Sequence, residues 1–148
     1  MFLPGQIIYF PNNFYFKNGN TAKPKYFIVL AKHDDKIIIG ALPTRKNNVP
    51  SFVNVPHGCI NIDERCYNCY VIQKDRIIGE NGFSFYEPTF IYGDQIEDYE
   101  VEIFEDIYTI EGIDYVIEDT LTGDEFSALK ECLLNSKNVR NKIKKYLR

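Results

Sequence analysis

Lys25-Tyr26-Phe27-Ile28-Val29-Leu30-Ala31-Lys32-His33-Asp34-Asp35-Lys36-Ile37-Ile38-Ile39-Gly40-Ala41-Leu42-Pro43 is the stretch that decides the fold. Tyr26 to Ala31 is a nearly continuous apolar run, the pattern of a strand covered on both faces. His33 to Lys36 is a short polar hairpin turn, and Ile37 to Leu42 resumes as a second strand. Pro43 ends it, because a proline nitrogen has no hydrogen to give to a ladder.

Working outward, Phe2-Leu3-Pro4-Gly5 is a turn and Gln6 to Phe10 a strand. Pro11-Asn12-Asn13 interrupts it, and Phe14-Tyr15-Phe16 continues as an edge or a loop lid. Lys17 to Lys25 carries Asn-Gly-Asn, Thr and Pro, and reads as a loop. Downstream, Phe52–Val55, Cys69–Gln73, Arg76–Ile78 and Thr89–Gly93 read as short strands. Turns separate them at Pro56-His57-Gly58 and Glu80-Asn81-Gly82. Val101 to Ile110 fits strand and helix equally by period. Thr122-Gly123-Asp124-Glu125 is a capping box: the Thr hydroxyl accepts an early helix N–H while Glu125 reaches back. Phe126, Leu129, Leu133, Val139, Ile143 and Tyr146/Leu147 then mark one apolar helix face, with Asn135-Ser136-Lys137-Asn138 as its point of division.

The length of 148 residues predicts one domain with a real core. Eleven Tyr, eleven Phe and many β-branched residues favour sheet over helix. There is no apolar run long enough to cross a membrane and no charged-then-apolar N-terminal pattern, which predicts a cytoplasmic protein. In that compartment Cys59, Cys66, Cys69 and Cys132 are expected to be reduced and buried. The net charge of −4 hides a segregation. Residues 1–60 hold seven Lys/Arg against two acids, 61–125 hold three against eighteen, and 126–148 hold seven against one. A basic face near the N-terminal strands therefore coexists with global acidity. The acids of 97–125 read as solvated faces, and the cations of the last helical turns complement the helix dipole.

These elements predict a mainly β fold with some α: a small SH3-like or CcdB/MazF-type barrel over about 1–120 and a C-terminal amphipathic helical segment over about 122–147, as one domain of residues 1–148. Four ordered segments carry a resemblance: Gly5-Gln6-Ile7-Ile8-Tyr9, Phe27-Ile28-Val29-Leu30, Leu42-Pro43-Thr44 and Asp94-Gln95-Ile96, followed by the helix after Thr122. Together they resemble the MazF/PemK-type toxin ribonucleases. The resemblance implies cleavage of single-stranded RNA by attack of the ribose 2′-hydroxyl on the adjacent phosphate, without metal or cofactor. On that likeness Lys25 stabilises the phosphate in place of the family's loop arginine, Thr44 hydrogen-bonds it and Asp94 is the base. Tyr26 replaces the usual proline, and Tyr92 and Glu97 stand where some members carry arginine. The resemblance also implies a homodimer neutralised by an antitoxin peptide. Arg45, Lys46, Lys23 and Lys17 are candidates for tracking the RNA backbone. Tyr9, Phe14, Tyr15 and Phe16 are either stacking surfaces or core packing. The alternative is a non-catalytic SH3-like barrel that binds protein or nucleic acid.

His57, Cys59, Cys66 and Cys69 together satisfy the ligand count of tetrahedral zinc. Against that, the chain has one Cys-x-x-Cys pair, and its two members face opposite sides of a continuous strand. The preferred reading is therefore no metal and buried thiols. His33 reads as an exposed turn residue.

Overall fold

The computed structural model describes residues 2–12, 14–17, 19, 21–22, 24–42, 56–65 and 67–148. Lys23, Pro43, Thr44, Arg45, Lys46, Cys66 and the expected strand Phe52–Val55 lie outside them. The molecule is mainly β, with two principal antiparallel sheets and three helices.

The larger sheet runs β10-β1-β4-β5-β9 and the smaller β6-β7-β8. Their strands are β1 (Gln6–Phe10), β4 (Lys25–Lys32), β5 (Lys36–Ala41), β6 (Gly58–Ile62), β7 (Tyr67–Ile72), β8 (Thr89–Tyr92), β9 (Ile96–Glu100) and β10 (Val116–Thr120). A two-residue hairpin, β2 (Phe14–Tyr15) with β3 (Thr21–Ala22), stands apart. The helices are α1 (Val101–Ile107), α2 (Gly123–Leu134) and α3 (Asn141–Leu147). Among the described residues the sheets stay open, with β10 and β9 at the edges of the larger one.

The β4–β5 hairpin sits at the centre, as its apolar runs demand. Reciprocal backbone bonds between His33 and Lys36 close its turn over Asp34 and Asp35. On β4, Ile28 and Leu30 enter one core with Ile38 of β5, α2 and α3. Phe27 and Val29 enter a second, aromatic core with Ile37, Ile39, Phe104 and Tyr108. The alternation is the pleat at work. A bulge between Val29 and Ala31 lets Leu30 and Ala31 both face the first core. Phe14 lies fully buried in the aromatic core, stacked 5.4 Å from Tyr108, whereas Tyr15 is half exposed. Core packing is thus the role of Phe14.

Two expectations are corrected and one open alternative is decided. Arg76–Ile78 is not a strand; it leads to a single bridge between Gly79 and Leu121. Val101–Ile110, which fitted strand and helix equally, holds helix α1 over Val101–Ile107, with Phe104 facing the aromatic core. Acids of 97–125 are not all solvated, since Asp98, Asp119 and Glu125 are buried. Asp119 accepts from the backbone N–H groups of Asn81, Phe83 and Thr120 and so pins the 79–83 turn.

The C-terminal segment divides where Asn135–Asn138 foretold, into α2 on β6 and β7, and α3 on β4 and β9. Thr122 Oγ1 caps α2 by accepting from the Glu125 N–H at 3.3 Å. The reciprocal half of the capping box is not formed: the Thr122 N–H donates to the Ile78 carbonyl, which leaves the Glu125 carboxylate for other partners.

Candidate functional site

Two places concentrate chemistry. The first is the sheet end where β5 exits. Phe27 pairs with Ala41 and Gly40 with Ile96, so Lys25, Leu42 and Asp94 all reach the same end, on three adjacent strands. Strands two apart in a sheet are about 10 Å apart, so Lys25 and Asp94 flank the β5 exit on either side. Thr44 follows Leu42 by two residues but lies outside the described residues, as do Arg45, Lys46 and Lys23. Lys25 is half-buried and Asp94 exposed on the short turn Gly93–Gln95.

Beside this end is a cavity of about 360 Å³ lined by Tyr26, Leu42, Phe83, Phe85, Tyr86 and Glu118, among others. Tyr26 packs against Phe85 at 5.2 Å and Tyr9 at 4.7 Å, while Tyr86 is 92% exposed. Burial and then the Glu118 charge push the Tyr26 phenol above its ordinary pKa, which keeps it a proton donor. Lys17 sits elsewhere. Its ammonium is 2.8 Å from Asp98 and 5.4 Å from the centre of the Tyr99 ring. Burial raises the Asp98 pKa, but the Lys17 bond and charge, with Lys142 adding to them, hold that carboxyl below its usual range. Lys17 therefore serves the fold first.

The second place went unread in the sequence. A cavity of about 520 Å³ lies between β6 and α2. On its floor Glu125 Oε1 accepts from Tyr70 Oη at 2.7 Å and meets His57 Nε2 at 2.6 Å. Arg76 Nε stands 3.9 Å from Oε2. The Gln73 backbone N–H donates to His57 Nδ1 at 3.3 Å, so the ring carries its proton on Nε2 and donates it to Glu125. Burial, and then the bond and charge of Glu125, push the Tyr70 phenol upward, so it stays a donor too. The result is a buried carboxylate with two well-placed donors and a nearby cation. No spacing in the sequence links residues 57, 70, 76 and 125, and the capping box pointed Glu125 back at the start of the helix instead.

Above that floor, Cys59 of β6 and Cys132 of α2 form a disulfide with Cα atoms 5.6 Å apart. This corrects the expectation of four reduced thiols: the edge strand and the helix lie side by side at a separation a disulfide spans. It also removes Cys59 from the zinc set. Cys69 is a buried free thiol on the far face of β7, and burial pushes it up to about 12. Among the described residues no group of three or more metal-ligating side chains converges. No helix there is long and apolar enough to cross a membrane.

No family model, curated protein or solved structure matches the chain.

Proposed function

We propose that the chain is a metal-independent endoribonuclease of the MazF/PemK kind, on a scaffold related to SH3-like barrels, acting on single-stranded RNA at the end of the sheet where β5 exits. The observation that carries this reading is the aromatic cavity lined by Tyr26 and Leu42, at the strand end that begins with Lys25. Lys25 and Tyr26 leave β4 on opposite faces at its first residues, so in this reading the RNA passes over the open end of the sheet, its base in the cavity and its phosphate towards Lys25. Aromatic rings stack on any unpaired base, and Glu118 at the rim accepts from base amino groups. In this reading Asp94 takes the 2′-hydroxyl proton. Lys25, with the hydroxyl of Thr44, stabilises the charge that builds on the phosphate. Arg45, Lys46 and Lys23 steer the backbone. A cytoplasmic homodimer held in check by an antitoxin peptide belongs to the same proposal.

The test is incubation of pure protein with a long unstructured RNA in the presence of a chelator. Cleavage leaving 2′,3′-cyclic phosphate ends is expected, blocked by 2′-deoxy substitution and lost in Lys25→Ala and Asp94→Asn. RNA bound but never cut leaves the non-catalytic binding module as the function. That second reading is favoured by Glu87 and Glu118, which both line the cavity and repel a closely held phosphate. RNA neither bound nor cleaved refutes the ribonuclease and the nucleic-acid-binding module alike.

A further inference from the structure

We infer that the Cys59–Cys132 disulfide is a thiol-exchange site, at which a low-molecular-mass thiol enters the cavity between β6 and α2, bonds to Cys59 and releases Cys132. Both cysteines line that cavity. Cys59 is exposed, whereas Cys132 is 3% exposed, so an incoming sulfur reaches Cys59 and the buried sulfur leaves. The leaving sulfur has partners already in place. Asn68 Nδ2 lies 3.5 Å from Cys132 Sγ, where it donates to a thiolate. The Cys69 carbonyl oxygen lies 3.9 Å away, where it accepts from the thiol once protonated. Cys132 is thus accommodated in both redox states.

The third described cysteine does not compete. Cys69 points into the cluster of Ile60, Val71 and Phe90, on the opposite face of β7 from α2. Burial disfavours its thiolate, the form that attacks disulfides. Among the described residues no thiol is placed to exchange, and the attacking thiol is therefore an external one. The cavity lining suits a small zwitterionic thiol, with Arg76 for a carboxylate and Asp124 and Glu131 for an ammonium. Release of Cys132 leaves α2 anchored by the bonds of Glu125 to His57 and Tyr70, and by Leu129 and Leu133 in the core. Only the contact of strand β6 with the middle of the helix is loosened.

The chemistry balances as two exchanges. A thiolate RS⁻ attacks Cys59 Sγ, the Cys59–Cys132 bond breaks, and the Cys132 thiolate takes a proton from water. A second RS⁻ attacks the mixed disulfide, giving RSSR and the Cys59 thiolate, which is protonated in turn. Two thiols supply the two electrons.

The experiment uses the full chain in a Cys66→Ser background, with glutathione as the probe and peptide mapping by mass spectrometry. Reduced glutathione is expected to open the disulfide in the folded protein, with circular dichroism unchanged. With oxidised glutathione, Cys132→Ser is expected to gain one glutathione on Cys59, while Cys59→Ser gains none on Cys132. Arg76→Ala is expected to slow adduct formation. An adduct on Cys132, opening only after unfolding in urea, or free Cys59 and Cys132 thiols after aerobic purification would each overturn the inference.

Discussion

Replacement of Glu125 by alanine isolates the buried carboxylate on which the α2–β6 contact turns. Its side chain is 9% exposed and holds Tyr70 Oη at 2.7 Å and His57 Nε2 at 2.6 Å. Hydrogen bonds to a charged group contribute about 1.5–3 kcal/mol each. The two orphaned donors fare differently. His57, with a side chain 16% exposed, regains water from the cavity, whereas Tyr70, 2% exposed, leaves a hydroxyl unpaired in the core. One bond lost to water and one lost outright give a destabilisation of about 3–4 kcal/mol for Glu125→Ala. Glu125→Gln keeps an acceptor oxygen in the same place and gives about 1–2 kcal/mol. Urea unfolding of the oxidised protein, followed by far-ultraviolet circular dichroism, measures both. In a double-mutant cycle, Tyr70→Phe is expected to cost about 1–2 kcal/mol less in the Glu125→Ala background than alone. A Glu125→Ala protein within 1 kcal/mol of the parent, or equal losses for the Ala and Gln variants, would refute the reasoning.

Three other outcomes are expected. Reducing the Cys59–Cys132 bond, which spans a sequence separation of 73, removes about 4 kcal/mol of loop-closure stabilisation, read as a fall of roughly 8–16 °C in Tm. The protein stays folded at 25 °C, and no Tm change on reduction would contradict this. Asp98 and Asp119 both have pKa values held below the ordinary carboxylate range. For Asp119, burial raises the value, but the N–H groups of Thr120, Phe83 and Asn81 more than offset it. Their contribution is complete above the unfolded pKa of about 3.9 and is lost as pH falls through the lower folded values, so acid titration of Asp119→Asn should show a shallower loss than the parent. Tyr86→Ala, at a ring 92% exposed, is expected to leave Tm unchanged while weakening binding of single-stranded RNA about 5- to 150-fold, the measure of one lost stacking partner in a direct titration.

Which strands were legible follows from where they sit. β4 and β5 are covered on both faces, and their apolar runs announce them. β8 lies at the edge of its sheet yet is buried throughout and packs on β5, and it too was legible. β6, β9 and β10 were not, and all three are edge strands among the described residues. Edge strands tolerate and favour charge, because it discourages pairing with other chains. Ile96-Glu97-Asp98-Tyr99-Glu100 and Val116-Ile117-Glu118-Asp119-Thr120 therefore look like solvated acid runs. The helical end was readable to its break, because capping and period are local signals. The His57–Tyr70–Glu125 cluster was not, because each member has an ordinary local reading and only tertiary contact joins them.

The segregated charges are also settled by contact rather than by total. Arg140 of the loop before α3 donates to the Ile96 carbonyl and pairs with Glu97, while Lys142 of α3 reaches Asp98 at 3.7 Å. Lys17 meets the same Asp98 from the other end of the chain, and Lys137 reaches Asp63. Arg140, Lys142 and Lys17 clamp edge strand β9 in place, and Lys137 ties the start of the acidic middle to the loop after α2. The proposed ribonuclease site draws instead on Lys25 at the start of β4, next in the chain to Tyr26 of the aromatic cavity. Contact thus reconciles an acidic total with two basic ends: Arg140 and Lys142 from one end and Lys17 from the other are drawn onto Glu97 and Asp98 of the same edge strand.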